Sequence, residues 1–159
     1  MRILLPLLLI VALFASCDPA RLYEKNHDLE GYQWYIDTIP AFQFEVKDVS
    51  VPYNLYYNIR NAAAYPYYNL YITYYLSDNT GKILKSRLQE LTLMDPQTGK
   101  PLGDGMGDIF DHRILSVGNY RFPRPGTYTF KVKQYMRKDP LPGIMSVGVR
   151  VEKTGDNAK

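Results

Sequence analysis

The stretch that decides the fold is residues 52–76, PYNLYYNIRNAAAYPYYNLYITYYL, because two runs of alternating apolar and polar side chains follow each other there. The apolar set of the first run is Tyr53, Leu55, Tyr57 and Ile59, and that of the second is Leu70, Ile72, Tyr74 and Leu76. A period of two is typical of a β-strand with one buried face. Pro66, in the connection, excludes a helix between the runs. We therefore predict two strands and expect them to be neighbours.

Three further runs have the same period, and their apolar sets are Phe42, Phe44 and Val46; Tyr128, Phe130 and Val132; and Met145, Val147, Val149 and Val151 within a closing strand Ile144–Val151. Residues 83–94 give mixed signals, since their leucines suit either a helix or a strand. We favour a strand from Leu88 to Met94. Residues 108–117 have no decisive period, so a short helix and a strand are equally compatible with them.

Turn-forming residues separate these runs at 77–81 and 95–101, and Gly103, Gly105 and Gly107 predict a flexible loop. Six or seven short strands without a convincing long helix indicate an all-β protein. We predict a single β-sandwich, immunoglobulin-like or jelly-roll-like, over residues 38–152, followed by a polar tail at 153–159.

The chain begins MRILLPLLLIVALFASC, a basic residue followed by a short apolar run and small residues before a cysteine. This pattern predicts a signal peptide at 1–16 and a lipid-modified Cys17; the alternative is an ordinary cleavable signal with an incidental cysteine. Residues 17–37 are expected to form a tether with an aromatic segment, Tyr32–Tyr35, that docks on the domain or forms a short first strand. Cys17 is the one cysteine of the chain, so a lipidated mature protein forms no disulfide.

Charge argues against nucleic-acid binding. Removal of Arg2 with the signal leaves 18 basic and 16 acidic residues, a net charge of +2. No Lys/Arg cluster stands out, as a nucleic-acid surface would require. The unusual feature is the content of 15 tyrosines, a residue that suits both half-buried strands and partner-binding surfaces.

Several blocks of the sequence match a known family in order: SCD at 16–18, PYNL at 52–55, IRN at 59–61, YPYYNL at 65–70, DP at 95–96, GKPLG at 99–103, GDIFDH at 107–112, QYMR at 134–137, LPGI at 141–144 and SVG at 146–148. In these the chain resembles the gliding-motility lipoproteins of the GldH family of Bacteroidetes-type bacteria. The resemblance implies a non-enzymatic lipoprotein linked to gliding and to the type IX secretion apparatus, with its lipid on Cys17. It brings no catalytic residue with it.

Catalytic motifs are missing from the sequence. It has no G-x-S-x-G, no phosphate-binding Gly-Lys-Ser/Thr loop and no H-E-x-x-H, and it holds 2 histidines. We therefore expect no enzyme, no small-molecule substrate and no cofactor beyond the lipid on Cys17.

The weak candidates for a metal site are Asp104, Asp108, Asp111 and His112. We favour the alternative in which Asp104 makes a turn, Asp108 caps a short helix, Asp111 is solvated and His112 is hydrogen-bonded in the loop.

The outward side chains of the two tyrosine-rich strands form a candidate partner-binding face if the strands adjoin: Asn54, Tyr56, Asn58, Arg60, Tyr71, Thr73 and Tyr75. Tyrosine and arginine are enriched where protein partners bind. Alternatively, these tyrosines are covered by the tether or pack on each other across strands. We expect other envelope or motility proteins as partners, and binding to glycans is the second hypothesis. An outer-membrane location facing the periplasm is preferred, with the inner membrane as the alternative.

Overall fold

A computed structural model describes residues 18–154; the predicted signal peptide, Cys17 and residues 155–159 lie outside the described part. Residues 18–154 form eleven strands. They are β1 (Arg21–Asp28), β2 (Gln33–Trp34), β3 (Ala41–Val46), β4 (Tyr53–Ala62), β5 (Asn69–Asp78), β6 (Ile83–Thr92), β7 (Asp104–Met106), β8 (Ile109–Tyr120), β9 (Gly126–Gln134), β10 (Leu141–Pro142) and β11 (Ile144–Lys153). A single 3-10 turn, Glu30–Tyr32, lies between β1 and β2.

The strands form two main sheets in which every pairing is antiparallel. Sheet I has the order β1-β11-β4-β8-β7, and sheet II has the order β3-β9-β5-β6. The short strands β2 and β10 pair with each other apart from both sheets. The predicted all-β sandwich is confirmed.

The core lies between the two sheets and is rich in aromatic rings. Phe130 of sheet II stacks on Tyr74 with ring centroids 5.2 Å apart, and it meets Tyr57 of sheet I at 5.9 Å. The predicted apolar sets of β3, β4, β5 and β9 are all buried. Trp34 is fully buried and donates its indole N–H to the Thr38 carbonyl at 2.8 Å, so the aromatic segment forms the short strand β2 and packs on the domain.

The expectation that β4 and β5 are neighbours is wrong. β4 pairs with β11 and β8 in sheet I, whereas β5 pairs with β6 and β9 in sheet II. The connection 63–68 crosses the sandwich, with Tyr65 buried and its hydroxyl donating to the Asn69 carbonyl at 2.8 Å. Alternation identifies the buried face of a strand but not the sheet to which it belongs.

The tether predicted over residues 17–37 also needs correction. Arg21–Asp28 is strand β1, paired along its length with β11, so the sandwich begins well before residue 38. β1 is an edge strand whose side chains are half-buried or exposed throughout, so it has no apolar alternation for the sequence to reveal. At the other end, Lys153 belongs to β11 rather than to a polar tail.

Three local predictions differ from the structure, and one open alternative is decided. Strand β6 begins at Ile83 rather than near Leu88. For residues 108–117, with which a helix and a strand were equally compatible, the structure has strand β8 over Ile109–Tyr120. The glycine-rich stretch is not a loose loop, because β7 and β8 form a hairpin whose turn contains Gly107 at φ +68°. Met145 is half-buried, since a bulge between Ile144 and Ser146 interrupts the alternation of β11.

Candidate functional site

The seven residues predicted to share one face are divided between the two outer faces of the sandwich. Asn54, Tyr56, Asn58 and Arg60 point outward from β4 in sheet I, and Tyr71, Thr73 and Tyr75 point outward from β5 in sheet II. The core separates the two sets, so no single partner surface combines them. The error follows from placing β4 beside β5.

The outer side of sheet I is a network of charged and polar side chains, which we call face I: Glu24, Asn26, Asn54, Tyr56, Asn58, Arg60, Asp111, Arg113, Leu115 and Arg150. Arg150 lies at its centre and is 5% exposed. Its guanidinium donates to the carboxylates of Asp18, Glu24 (2.7 Å) and Glu152. A buried cation needs this degree of pairing to be tolerated.

The pairing on face I is visible in the acidity of its groups. The hydrogen bond from Arg150 lowers the pKa of Asp18. Burial would raise the pKa of Glu24, but hydrogen bonds from Asn58, Arg21 and Arg150 outweigh it and the pKa is lowered. Burial likewise opposes the charge of Arg150, yet its three carboxylate partners raise its pKa. Asp18, Glu24 and Arg150 are therefore each held in the charged form.

The predicted site residues on β4 belong to this network. Asn58 donates to Glu24 at 2.9 Å, and Arg60 donates two hydrogen bonds to Asp111 at 2.8 and 3.1 Å. Asn54 donates to the Tyr56 hydroxyl at 3.2 Å. These four side chains bind to their own sheet.

The outer side of sheet II is different, and we call it face II: Tyr71, Thr73, Tyr75, Ser86, Leu88, Glu90, Lys131 and Lys133. The main polar cluster on it is at Glu90, which accepts from Asn69 at 2.6 Å and raises the pKa of Tyr71. Lys131 and Lys133 flank Thr73 and Tyr75, and within residues 18–154 neither lysine forms an ion pair. An exposed leucine does not distinguish the faces, since Leu88 of face II is 47% exposed and Leu115 of face I is 49% exposed.

A cleft of about 320 Å³ adjoins face II and is lined by Tyr67, Tyr71, Tyr135, Met136 and Arg137. Tyr135 follows β9 and donates its backbone N–H to the Tyr71 carbonyl at 2.8 Å, which brings the two tyrosines side by side. Apart from Tyr71, sequence reasoning did not identify these residues as a site. Their proximity depends on the pairing of β5 with β9, two strands separated by the whole middle of the chain, which no local pattern reports.

The weak metal candidates do not converge. Asp104 and Asp111 lie opposite each other on β7 and β8, but Asp111 is bound by Arg60. Asp108 lies in the hairpin turn rather than at a helix cap, and His112 faces inward with its Nε2 2.8 Å from Asn61 Oδ1. Burial lowers the pKa of His112, an effect that Asp111 and Asp104 partly oppose. Within the described part of the chain, no three His, Cys, Asp or Glu side chains are grouped to hold a metal.

No helix among residues 18–154 is long and apolar enough to cross a bilayer. The fold and these surfaces define the class of protein as an all-β sandwich. One outer face is held by its own ion pairs, and the other carries two lysines without an acidic partner within residues 18–154.

Comparisons with known proteins identify the family. The profile of a family described as GldH lipoprotein matches residues 21–151. A gliding motility lipoprotein GldH homolog of Christiangramia forsetii is 32% identical over 151 residues, covering 91% of each chain. The gliding motility lipoprotein GldH of Flavobacterium johnsoniae is 29% identical over 153 residues, covering 92% of this chain and 93% of that protein. The chain belongs to the GldH lipoprotein family, a family of gliding-motility lipoproteins and not a known class of enzyme.

Solved structures give weaker likenesses. A structure of the infectious bursal disease virus Gx strain has a TM-score of 0.45 at 11% identity, covering 89% of this chain and 34% of the viral chain. Dimeric latent PorU from Porphyromonas gingivalis has a TM-score of 0.37 at 9% identity, covering 84% of this chain and 13% of PorU. Likenesses at this level carry no argument about function.

Proposed function

We propose that the protein is a lipid-anchored docking component of the gliding-motility and type IX secretion apparatus. A lipid on Cys17 holds it in the outer membrane facing the periplasm, and face II binds a protein of the apparatus. The observation that carries this proposal is the contrast between the open tyrosine-lysine surface of sheet II and the internally paired surface of sheet I.

The chemistry of face II suits protein recognition. Tyr71 and Tyr75 offer rigid rings with a polar tip, of the kind enriched where partners bind. Lys131 and Lys133 are without acidic partners in residues 18–154, so they favour an acidic surface on the partner. The cleft beside Tyr135 offers a recess for a side chain of that partner.

Site-specific crosslinking in gliding cells tests the docking face. A photo-reactive phenylalanine analogue replaces Tyr75 or Tyr135 on the side of sheet II, and the matched control replaces Tyr56 on face I. We expect the first two positions to crosslink to proteins of the motility or secretion apparatus, identified by mass spectrometry, and Tyr56 to give no such product. Equal products from both faces, or products from Tyr56 alone, would refute docking through face II.

The anchor is tested separately. Metabolic labelling with an alkyne-bearing palmitate should mark the wild-type protein in the membrane fraction, and Cys17→Ser should lose the label. A labelled Cys17→Ser protein would contradict attachment at this residue. Separation of outer from inner membranes on a density gradient decides between the preferred location and the alternative.

Glycan binding is the second candidate, and the cleft is the observation that favours it. Three tyrosines, Tyr67, Tyr71 and Tyr135, line the cleft together with Arg137. Aromatic rings stack on sugar rings, and an arginine binds their hydroxyl or carboxylate groups. A glycan array with the wild-type protein and Tyr135→Ser tests it, since specific binding that the variant loses would favour this function. Absence of any sugar binding would leave protein docking as the function of the cleft.

A further inference from the structure

Asp18, the residue directly after Cys17, is held against the sandwich. Its carboxylate accepts from the buried guanidinium of Arg150 and, at 3.2 Å, from the backbone N–H of Ala20. Its carbonyl accepts from the backbone N–H of Arg21 at 3.2 Å. Since consecutive Cα atoms are about 3.8 Å apart, a lipid on Cys17 would enter the bilayer beside the protein surface, without a spacer.

One end of the sandwich surrounds this attachment point. We call it the proximal end and define it by residues 18–20, the loops 47–52, 79–82 and 121–125, and residues 153–154. Two backbone hydrogen bonds connect its parts. The N–H of Lys153 donates to the Ala20 carbonyl at 2.8 Å, and the N–H of Thr154 donates to the Pro52 carbonyl at 2.9 Å. Arg121 donates to the Ser50 carbonyl at 2.7 Å and links a third loop to them.

The loops of the proximal end are basic. Loops 47–52, 79–82 and 121–125 hold four basic residues and one acidic residue. All four basic side chains are exposed, and within residues 18–154 Lys82 and Arg121 have no acidic partner. The four are Lys47, Lys82, Arg121 and Arg124. Basic side chains beside an anchor are attracted by anionic lipid headgroups.

The opposite end, which we call the distal end, is acidic and rich in exposed apolar side chains. Its connecting segments 29–32, 35–40, 63–68, 93–103, 107–108 and 135–140 hold five acidic and three basic residues. Most of the exposed large apolar side chains of residues 18–154 lie at this end: Tyr32, Tyr35, Ile39, Tyr67, Tyr68, Leu102, Met106, Ile109 and Tyr135. These side chains would face away from a membrane that the proximal end touches.

We propose that the proximal end rests on the anionic headgroups of the membrane and that the pairing of Asp18 with Arg150 holds the domain in this orientation. The distal end, with the aromatic cleft at its side, then points away from the bilayer towards partners. This inference rests on the proposed lipid attachment at Cys17. It commits to a lipid surface as the occupant of the proximal end.

Quenching of tryptophan fluorescence by brominated lipids measures the orientation of the domain on the membrane. The method suits this chain because it has few native tryptophans to replace. Trp34 is the single tryptophan, so Trp34→Phe gives a background without signal. A new reporter is introduced at the proximal end by Pro123→Trp, or by Lys82→Trp if the first variant fails to fold. The matched control at the distal end is Tyr67→Trp. The chain from Cys17 to Lys159 is coupled through its one thiol to a maleimide lipid in vesicles of phosphatidylethanolamine and phosphatidylglycerol.

We expect the proximal reporter to lose much of its emission when the vesicle lipids are brominated, and the distal reporter to keep its emission. Asp18→Ala should reduce this difference, because without the Asp18–Arg150 pair the domain can rotate relative to the membrane about its lipid attachment. Equal quenching of both reporters with Asp18 intact, or stronger quenching at position 67, would overturn the inference. Because the lipid is attached chemically, this outcome is independent of whether cells lipidate Cys17, which the palmitate label reports.

Discussion

On face I, Arg150 is buried among three carboxylates and Arg60 binds Asp111 with two hydrogen bonds, whereas on face II Lys131 and Lys133 flank Thr73 and Tyr75 without an acidic partner in residues 18–154. Both faces carry tyrosines and basic residues at alternate positions of their strands. On face I these residues stabilise the fold by binding each other. On face II, Lys131 and Lys133 have no such partner within residues 18–154, which is why the proposed docking is assigned to sheet II.

The largest effect on stability is expected from Arg150→Ala. It leaves Asp18, Glu24 and Glu152 close together without their shared cation, and breaking a buried ion pair costs about 3–5 kcal/mol. Urea unfolding followed by circular dichroism measures the change in the free energy of unfolding.

The matched control for Arg150→Ala is Lys131→Ala on face II. Its charge has no partner within residues 18–154, so we expect a change within about 0.5 kcal/mol. Similar losses from the two variants would remove the distinction between a structural face and an open one.

Gly148→Ala should give the next largest effect, because face I depends on a close approach of β1 to β11. A methyl group at Gly148 would overlap the Asn26 side chain and lie 2.7 Å from the Lys25 carbonyl, so backbone must move. Overpacking of this kind costs about 1–3 kcal/mol. Gly118→Ala in the same sheet is the control, since its methyl group would meet its nearest neighbour, the Leu115 side chain, at 3.4 Å. Equal melting temperatures for both variants would contradict tight packing of β1.

The sequence was sufficient to predict which residues of the main strands are buried in the core. The alternation at Tyr53–Ile59, at Leu70–Leu76 and at Tyr128–Val132 identifies core residues because burial acts on each strand separately. It was not sufficient for sheet membership, since the partner of a strand is fixed by contacts distant in sequence. β5 pairs with β9 more than fifty residues later, and this pairing decides where Tyr71 lies.

The candidate site was predictable to a lesser degree. The outward positions of Tyr71, Thr73 and Tyr75 followed from period two, but their separation from Tyr56 did not. β1 escaped prediction because its apolar residues, Leu22 and Tyr23, are adjacent rather than alternating, and the rest of this edge strand is polar on both sides. Arg150 escaped because it lies between valines in the sequence, and its three carboxylates come from both ends of the chain.

Acid should weaken the fold in part through the carboxylates that pair with Arg150. The pKa values of Asp18 and Glu24 are lowered in the folded chain, so each carboxyl binds a proton more readily when unfolded. Their stabilisation is complete above the ordinary carboxyl pKa of about 4 and is lost as the pH falls through the lower folded values. The lowered pKa of buried His112 acts in the same direction below about pH 6.5.

Unfolding free energies at several pH values between about 7 and 2 test this, because stability should fall continuously on acidification. In Arg150→Ala the decline between about pH 5 and 2 should be shallower, since Asp18 and Glu24 have lost the cation that lowers their pKa values. An acid limb of unchanged slope in that variant would mean that carboxyls outside face I dominate. The first such carboxyl to consider is Asp48. Hydrogen bonds from Ser50 and Lys153 lower its pKa to about 2.

The smallest effect on stability should come from reversing the charge of face II with Lys131→Glu and Lys133→Glu. Neither lysine is paired in residues 18–154, so each change should stay within about 0.5 kcal/mol of the wild-type unfolding free energy. The same pair of changes should sharply reduce crosslinking from position 75, because an acidic partner is then repelled. The control is Arg60→Ala, which removes an exposed pair on face I at a cost of about 0.2–1 kcal/mol and should leave that crosslink intact. Charge changes on face I should therefore lower the free energy of unfolding, whereas charge changes on face II should lower the yield of the crosslink. Lysine variants that keep the crosslink at full yield would show that face II does not dock through its charge.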